Sequence, residues 1–354
     1  MLSREAGGLL AWENVRRTLY RIRSFKMPSC HNINELDNLL NNNKFVYETY
    51  GVIRGKPYFN GSIDGQFIFS NGDMIADLDE HFELFIDGTH GIVPYKQEQL
   101  LVILATLCKK PRPIIYVLMT DRKESTYTRI FQYIKDAIFP ANKCFYKPAA
   151  ITADFEMALR NGVKNVWQEI EIFGCYFHFC QALHRRASSY DYLLERIENS
   201  EKHKEFLMMI MRLGLLPIEM IDDGIAALKK FKEDDVDLQR DFLAFMHYFD
   251  KTWIGRYPVN EWCISGRQIR TNNFVEGHNF KIKQFIPTNP TPWSFLDGLK
   301  DLYYDADASY INAKAKNISY KDKSRFTAPL KELIPKLKNG IIDELEFLSQ
   351  IAFV

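Results

Sequence analysis

Ile151-Thr152-Ala153-Asp154-Phe155-Glu156-Met157-Ala158 takes the chain from a short apolar run into a segment with helical character. A run of this kind followed by a helix is typical of a buried strand in an α/β sheet. Asp154 then lies at the carboxyl end of the strand, where open α/β sheets usually bind their ligands. A second apolar run, Phe85-Ile86-Asp87-Gly88-Thr89, ends on Asp87 in the same way. We therefore predict two carboxylates at neighbouring strand ends.

A third carboxylate, Glu276, follows Arg270-Thr271-Asn272-Asn273-Phe274-Val275 at the start of a helix-like stretch. Two strand-end aspartates and a helical glutamate can converge on a pair of Mg²⁺ or Mn²⁺ ions, which prefer hard oxygen ligands. Two such ions, about 3.5–4 Å apart, stabilise the attacking and leaving oxygens of a phosphodiester displacement. The alternative for each residue alone is a turn former, an N-cap or a first-turn helix acid.

Asp121 also follows a buried strand and competes for the same role. Its neighbours Arg122 and Lys123 favour a surface turn instead. We rank Asp121 below Asp154 for this reason.

The order of elements predicts the fold class. Three strands come first, and a helix, a strand, a helix, a strand and a helix follow. The predicted bounds are Phe82–Asp87, Gln99–Leu107, Pro113–Met119, Ser125–Ile138, Ala149–Ala153, Phe155–Val166, Ile170–Phe179 and a helix from Gln181. Short connections favour antiparallel pairing of the first three strands, and helical crossovers imply parallel pairing afterwards. This is the order of the ribonuclease H-like fold, an α/β class with a mixed sheet.

The rest of the chain divides into regions that are mostly helical. We expect an N-terminal helical and small β region over 1–80, the first part of the core over 81–185, and an all-helical insertion over 186–265. Residues 266–310 then complete the core with the Glu276 helix, and 311–354 form a C-terminal helical segment. Within the first region, residues 8–24 have the apolar spacing of an amphipathic helix.

Composition narrows the function classes. The 354 residues are 46% apolar and 26% charged, as in ordinary globular proteins. No apolar run approaches the roughly 20 residues that span a bilayer, so we expect no membrane segment. Six cysteines in a chain of this length do not form a disulfide framework, which favours a reducing compartment.

The net charge of +1 excludes a protein that is basic throughout, but basic residues cluster locally. The candidate phosphate contacts are Arg16, Arg17, Arg21 and Arg23 in the N-terminal helix, Lys281 and Lys283 after Glu276, and a lysine-rich C-terminal segment. Local basic surfaces can neutralise DNA phosphates even when the total charge is balanced. The alternative is that they are solvated helix faces.

A Cys/His-rich stretch spans Gly174 to His184 and includes Cys175 and His178. Zinc is one interpretation. A strand would point these two side chains to opposite faces, however, so we expect a packing role and no structural Zn²⁺. Trp253 and Trp262 either stack on an unpaired base or pack in a core, and packing is favoured.

Four motifs occur together in one order: Asp87-Gly88-Thr89, the Thr152–Ala158 stretch, the Gly174–Ala182 stretch and Arg270-Thr271-Asn272-Asn273-x-x-Glu276. In this respect residues 10–310 resemble the Mutator-like element (MULE) transposase domain, of the type found behind a FLYWCH zinc finger. No zinc finger precedes Arg4, so we expect a fragment, a truncated copy or a host-recruited derivative.

The resemblance implies a ribonuclease H-like core, a helical insertion before the last glutamate, and DDE-type cut-and-paste chemistry. Asp87, Asp154 and Glu276 would be the catalytic and metal-binding triad, and Cys175 and His178 the family's Cys-x-x-His motif, which we treat as structural. It further implies a nuclear protein that binds transposon ends and target DNA as a homo-oligomer. The alternatives are a transposase-derived DNA-binding regulator without catalysis and a protein-interaction module.

Overall fold

The computed structural model describes residues 27–230, 232, 234–267, 269, 273–316 and 325–353. The predicted N-terminal helix with its four arginines, and residues 270–272 before Glu276, lie outside these ranges. The described chain begins with helix α1 (Ile33–Asn42), the short helix α2 (Lys44–Val46) and a π-helical turn (Tyr47–Gly51). Strands β1 (Val52–Ile53) and β2 (Lys56–Pro57) then form a small two-stranded sheet.

The α/β part of the chain follows in alternating elements. These are β3 (Phe59–Ile63), β4 (Gln66–Ser70), α3 (Gly72–Ala76), β5 (Glu83–Thr89), β6 (Gln99–Leu107), β7 (Lys110–Met119), α4 (Glu124–Tyr133), a π-helical turn (Ile134–Ile138), α5 (Phe139–Ala141), β8 (Ala150–Ala153), α6 (Met157–Val166) and β9 (Glu171–Gly174). The helix predicted over 125–138 is present, and its five predicted apolar residues, Tyr127, Ile130, Phe131, Ile134 and Ile138, are all buried.

Seven strands form one mixed sheet in the order β3-β4-β7-β6-β5-β8-β9. Strands β5, β6 and β7 pair antiparallel, whereas β8 and β9 join in parallel next to β5. Both pairing predictions are therefore confirmed. The hairpin of β3 and β4 was predicted within the N-terminal region, but it pairs with β7 and extends the central sheet.

Helices cover both faces of the sheet. Helices α4 and α6 bury apolar side chains against one face, in a cluster with residues such as Ile86, Ile103 and Ile151. On the other face the sheet buries Phe85, Val102 and Tyr116 beneath helices that come from distant parts of the chain. Because both faces of the sheet are covered, a ligand can bind only at the ends of its strands.

After β9 the described chain is helical. The helices are α7 (Tyr176–Ala187), α8 (Asp191–Asn199), α9 (Glu201–Arg212), two 3-10 turns (Leu213–Leu215, Ile218–Met220), α10 (Ile221–Lys229), α11 (Val236–Phe249), a π-helical turn (Asp250–Ile254), α12 (Val259–Trp262), α13 (Asn273–Phe285), α14 (Pro292–Ala315), α15 (Thr327–Lys338) and α16 (Glu344–Ala352). Across the described residues between 186 and 262 there is no strand, as predicted.

The helices that follow β9 have an aromatic core of their own. Trp262 is fully buried and stacks on Phe179 with a centroid distance of 5.2 Å, while Trp253 meets the same ring edge-on at 4.7 Å. Both tryptophans are core residues, so neither is placed to stack on a DNA base. Across the described ranges, no helix is both long and apolar enough to span a bilayer.

Candidate active site

Strand register brings Asp87 and Asp154 side by side. In the parallel pair of β5 and β8, Ile86 is the partner of Ala153, and each is followed at once by its aspartate. Neighbouring strands lie about 4.8 Å apart, and residues in register project to the same face. The two carboxylates predicted from separate apolar runs therefore lie next to each other on two interior strands. Asp154 directly follows β8, as predicted, but Asp87 does not end its strand, because β5 continues for two residues to Thr89.

Helix α13, which carries Glu276, packs against strands β5 and β7 of the sheet. Glu276 is in the first turn of the helix, and its Oε1 is buried without a hydrogen-bond partner in the described chain. Burial raises the pKa of Glu276. Three residues later on the same side of α13, Asn279 Nδ2 donates a hydrogen bond of 2.8 Å to Asp87 Oδ2. The helix thus brings a carboxylate and an amide to the aspartate pair.

The charges of both other carboxylates act on Asp87. Burial, and after it the negative charges of Asp154 and Glu276, raise the pKa of Asp87 to about 7. Hydrogen bonds from the Gly88 amide and from Asn279 oppose the shift in part. Like charges this close need a proton or a cation between them.

The donor set suits a hard divalent cation. It consists of two adjacent carboxylates, a third carboxylate with an unpartnered buried oxygen, and Asn279, whose Oδ1 also lacks a partner among the described residues. Carboxylate and amide oxygens are the ligands that Mg²⁺ accepts. In the same described ranges, no three His, Cys, Asp or Glu side chains are close enough together to hold a metal as they stand. The three carboxylates would therefore have to draw closer together before they could share a cation.

Cys175 and His178 are placed differently from the prediction. Strand β9 ends at Gly174, Cys175 precedes α7, and His178 lies in the first turn of that helix, so the argument from opposite strand faces is wrong. Cys175 is fully buried. His178 is near Asp154, whose charge partly opposes the lowering of the His178 pKa by burial. Its Nδ1 is buried with no partner in the described part of the chain.

Hydrogen bonds fix the turn that presents Asp154. Asp154 Oδ1 accepts from the Glu156 amide at 2.9 Å, and the Asp154 carbonyl accepts from Arg160 at 3.2 Å. Glu156 itself turns away and pairs with Arg122 at 3.0 Å. Asp121 accepts from the Lys123 amide at 3.0 Å, which is the surface turn that its neighbours predicted.

The two lysines predicted as phosphate contacts on α13 differ in their surroundings. Lys281 on α13 pairs with Asp305 on α14, and Lys283 is exposed. Asn279 was missed because the spacing of Glu276, Phe280 and Lys283 in the sequence predicts that these three residues share the face of the helix that meets the sheet. In the structure Phe280 is 67% exposed, and the buried face carries Val275 and Ile282 instead. The apolar positions Val275 and Ile282 were the signal that could have set the rotation of the helix.

Comparison with known proteins identifies one region. Residues 83–182 match the family model of the MULE transposase domain. The match runs from β5 into α7, so it contains Asp87, Asp154, Cys175 and His178, while Glu276 lies beyond it. The search of curated proteins found no match. The resemblance derived from the sequence motifs is confirmed over this region.

Proposed function

We propose that this chain is a DDE-type DNA transposase with a ribonuclease H-like core, which cleaves and transfers DNA strands with the help of divalent cations. The observation that carries the proposal is the in-register placement of Asp87 and Asp154 on two adjacent parallel strands, with Glu276 on α13 three residues before Asn279, which donates a hydrogen bond to Asp87. The match to the MULE transposase domain supports a transposase-related function. DNA ends and target DNA are the partners that go with it, together with a homo-oligomer on DNA and a nuclear location.

The residues of the site have separable roles in this proposal. Asp87, Asp154 and Glu276 would hold Mg²⁺ or Mn²⁺, which when bound activates water or a 3′-hydroxyl and stabilises the leaving oxygen. Asn279 keeps one oxygen of Asp87 oriented by its 2.8 Å hydrogen bond. The Glu156 amide does the same for Asp154. Since Asp87 has a pKa of about 7, it must lose its proton before it can act as a ligand.

The runner-up is a transposase-derived regulator that binds DNA without cutting it. A regulator has no use for three carboxylates that repel one another at the end of a buried sheet. Keeping them together costs folding free energy unless a cation is bound. The structure therefore favours the enzyme.

A nicking assay on supercoiled DNA tests the proposal. We expect wild type to nick with Mg²⁺ or Mn²⁺ and not in chelator, and Asp154→Ala to lose this activity. Asp121→Ala is the matched control, because Asp121 also follows a central strand but forms a surface turn. Equal nicking by wild type and Asp154→Ala, or no metal-dependent nicking by wild type, would reject the enzyme.

A further inference from the structure

A cationic cavity lies beside α13, on the side of the helix away from the carboxylates. Its volume is about 250 Å³, and β7, α13 and α14 form its walls. Among the residues that the structure describes, three cations line it: Lys110 and Arg112 from β7, and Lys281 from α13. One carboxylate, Asp305 of α14, also lines it and pairs with Lys281. The cavity therefore has an excess of positive charge.

Arg112 is the feature that indicates a ligand. It is only 6% exposed, yet its Nε has no hydrogen-bond partner in the described chain. Its Nη1 donates to the Ser309 hydroxyl at 3.0 Å, and its guanidinium lies 5.6 Å from the centre of the Tyr310 ring. A buried guanidinium with an unused N–H is costly unless something accepts from it. A phosphate oxygen is a suitable acceptor.

The other cations crowd this guanidinium. The pKa of Lys110 is lowered by burial and by the charges of Arg112 and Lys281. Lys110 has no carboxylate partner within the described residues, and its ammonium lies 5.9 Å from the centre of the Phe274 ring. His278 Nε2 lies 2.7 Å from the Tyr116 hydroxyl oxygen, so this ring nitrogen is engaged in a hydrogen bond with β7. Like charges held together without enough acid to balance them favour an anion in the cavity.

The cavity and the candidate active site share helix α13. Gly277 and Lys281 line it, and they are one and five residues after Glu276 on α13. Five residues of helix span about 7.5 Å. A group bound here would therefore contact the helix that carries Glu276, on the side of α13 away from the carboxylates.

We propose that Lys110, Arg112 and Lys281 form a seat for a backbone phosphate of the DNA strand that runs into the active site. The proposal rests on the proposed function, since it takes DNA as the substrate. Bound DNA would then contact α13 on the side of the helix away from the carboxylates. The strand and Glu276 are then positioned by one element.

The test measures DNA affinity of the full chain in chelator, so that no cleavage occurs. Fluorescence anisotropy with a labelled duplex at several KCl concentrations gives the slope of log affinity against log salt. Each phosphate contact contributes about 0.9 to that slope. We expect the double variant Lys110→Gln/Lys281→Gln to lower the magnitude of the slope by about 0.9. The pair of Lys→Arg changes should leave it unchanged.

The matched control is Lys229→Gln. Lys229 is 43% exposed and paired with Asp250, much as Lys281 is 38% exposed and paired with Asp305, but it lies on α10 in the helical region. A slope that is the same in wild type and the double variant overturns the proposal, and so does an equal loss in Lys229→Gln. Thermal unfolding in inorganic phosphate tests whether the cavity binds a small phosphate compound instead of a phosphate of the DNA backbone. If phosphate stabilises wild type but not the double variant, and the DNA slope does not change, the cavity binds a small phosphate compound and the DNA assignment is overturned.

The two proposals fail separately. Loss of slope in the double variant without metal-dependent nicking by wild type keeps the phosphate seat and rejects the enzyme. Nicking that depends on Asp154 with an unchanged slope keeps the enzyme and rejects the seat.

Discussion

Asp87 is the residue on which the electrostatics of the site converge. Burial and two neighbouring carboxylates raise its pKa from 3.8 to about 7, so the folded protein holds this proton more tightly than the unfolded chain does. The free energy of unfolding of the metal-free protein therefore falls as pH rises from about 4 to about 7, by at most about 4 kcal/mol. A divalent cation should restore the loss, because it replaces the proton.

Asp87→Asn tests this linkage. The amide cannot ionise, so we expect the metal-free variant to be more stable than wild type at pH 8 and the difference to shrink towards pH 4. Urea unfolding at several pH values gives the difference directly. Asp121→Asn is a control of opposite sign, since hydrogen bonds lower the pKa of Asp121 and its charged form is the favoured one. A constant difference between Asp87→Asn and wild type across this range would refute the raised pKa.

Asn279 is the second residue whose role can be isolated. Asn279→Ala removes the hydrogen bond that holds Asp87 and lowers its pKa. We expect Mn²⁺ affinity to fall about 10–100-fold, as is usual when a group orienting a metal ligand is lost. Calorimetric titration with Mn²⁺ measures the change. Gln284→Ala, on the exposed side of α13, should bind Mn²⁺ like wild type, and equal affinity in both variants would remove Asn279 from the site.

At the scale of elements, local sequence patterns predicted which strands and helices exist better than they predicted where each one begins and ends. Strand β6 has the predicted bounds, Gln99–Leu107, because a long run of β-branched and aliphatic residues leaves no competing assignment. The strand predicted over Ile170–Phe179 ends at Gly174, since the apolar aromatic run after it suits a buried helix equally well. Pairing of β4 with β7, which brings β3 into the central sheet, is a long-range contact that no local pattern contains.

The candidate site was predictable to the same degree. Asp87 and Asp154 were found because both strand ends can be read from apolar runs, and parallel register then brings them together. Asn279, Arg112 and Lys110 were not found, because their positions depend on the rotation of α13 and on its packing against β7 and α14. Such packing is decided by tertiary contacts, not by periodicity.

Replacement by alanine should have opposite effects on stability at Gly174 and Gly277. A Cβ at Gly174 would lie 2.0 Å from the ring of Phe155, which is packed edge-on against Trp253 at 4.8 Å. We expect Gly174→Ala to lose about 1–3 kcal/mol of stability through overpacking at the end of β9.

Gly277, within α13, has nothing within 4 Å of such a Cβ. Gly277→Ala should therefore gain up to about 1 kcal/mol from helix propensity. Urea unfolding of both variants decides the matter. A stability loss in Gly277→Ala would mean that α13 needs the flexibility of glycine beside Glu276.

At the scale of the whole molecule, one buried ion pair ties the helical region to the sheet. The side chains of Arg160 of α6 and Glu261 of α12 are only 1% and 8% exposed. Lys164, whose side chain is partly exposed, forms a second ion pair with Glu261 over a distance of 2.7 Å. Arg160 also donates to the Asp154 and Ile172 carbonyls. The helical region and the Asp154 turn therefore depend on the same guanidinium.

Glu261→Ala should cost about 3–5 kcal/mol, because it leaves the Arg160 charge buried and unpaired. Lys164→Ala, which removes only the exposed partner, should cost less than about 1 kcal/mol. Thermal or urea unfolding compares them. Similar small losses in both variants would show that the helical region is held by its apolar contacts alone.

The hydrogen bond between Asn279 and Asp87 joins residues 192 positions apart in the chain. A ribosome adds about 5–20 residues per second, so roughly 10–40 s separate the synthesis of the two residues. During that interval the sheet with both aspartates can fold while the glutamate that completes the site is still unmade. Nascent chains therefore carry the aspartate pair without Glu276, and the set of three carboxylates is complete only after the helical region has been translated and α13 has docked.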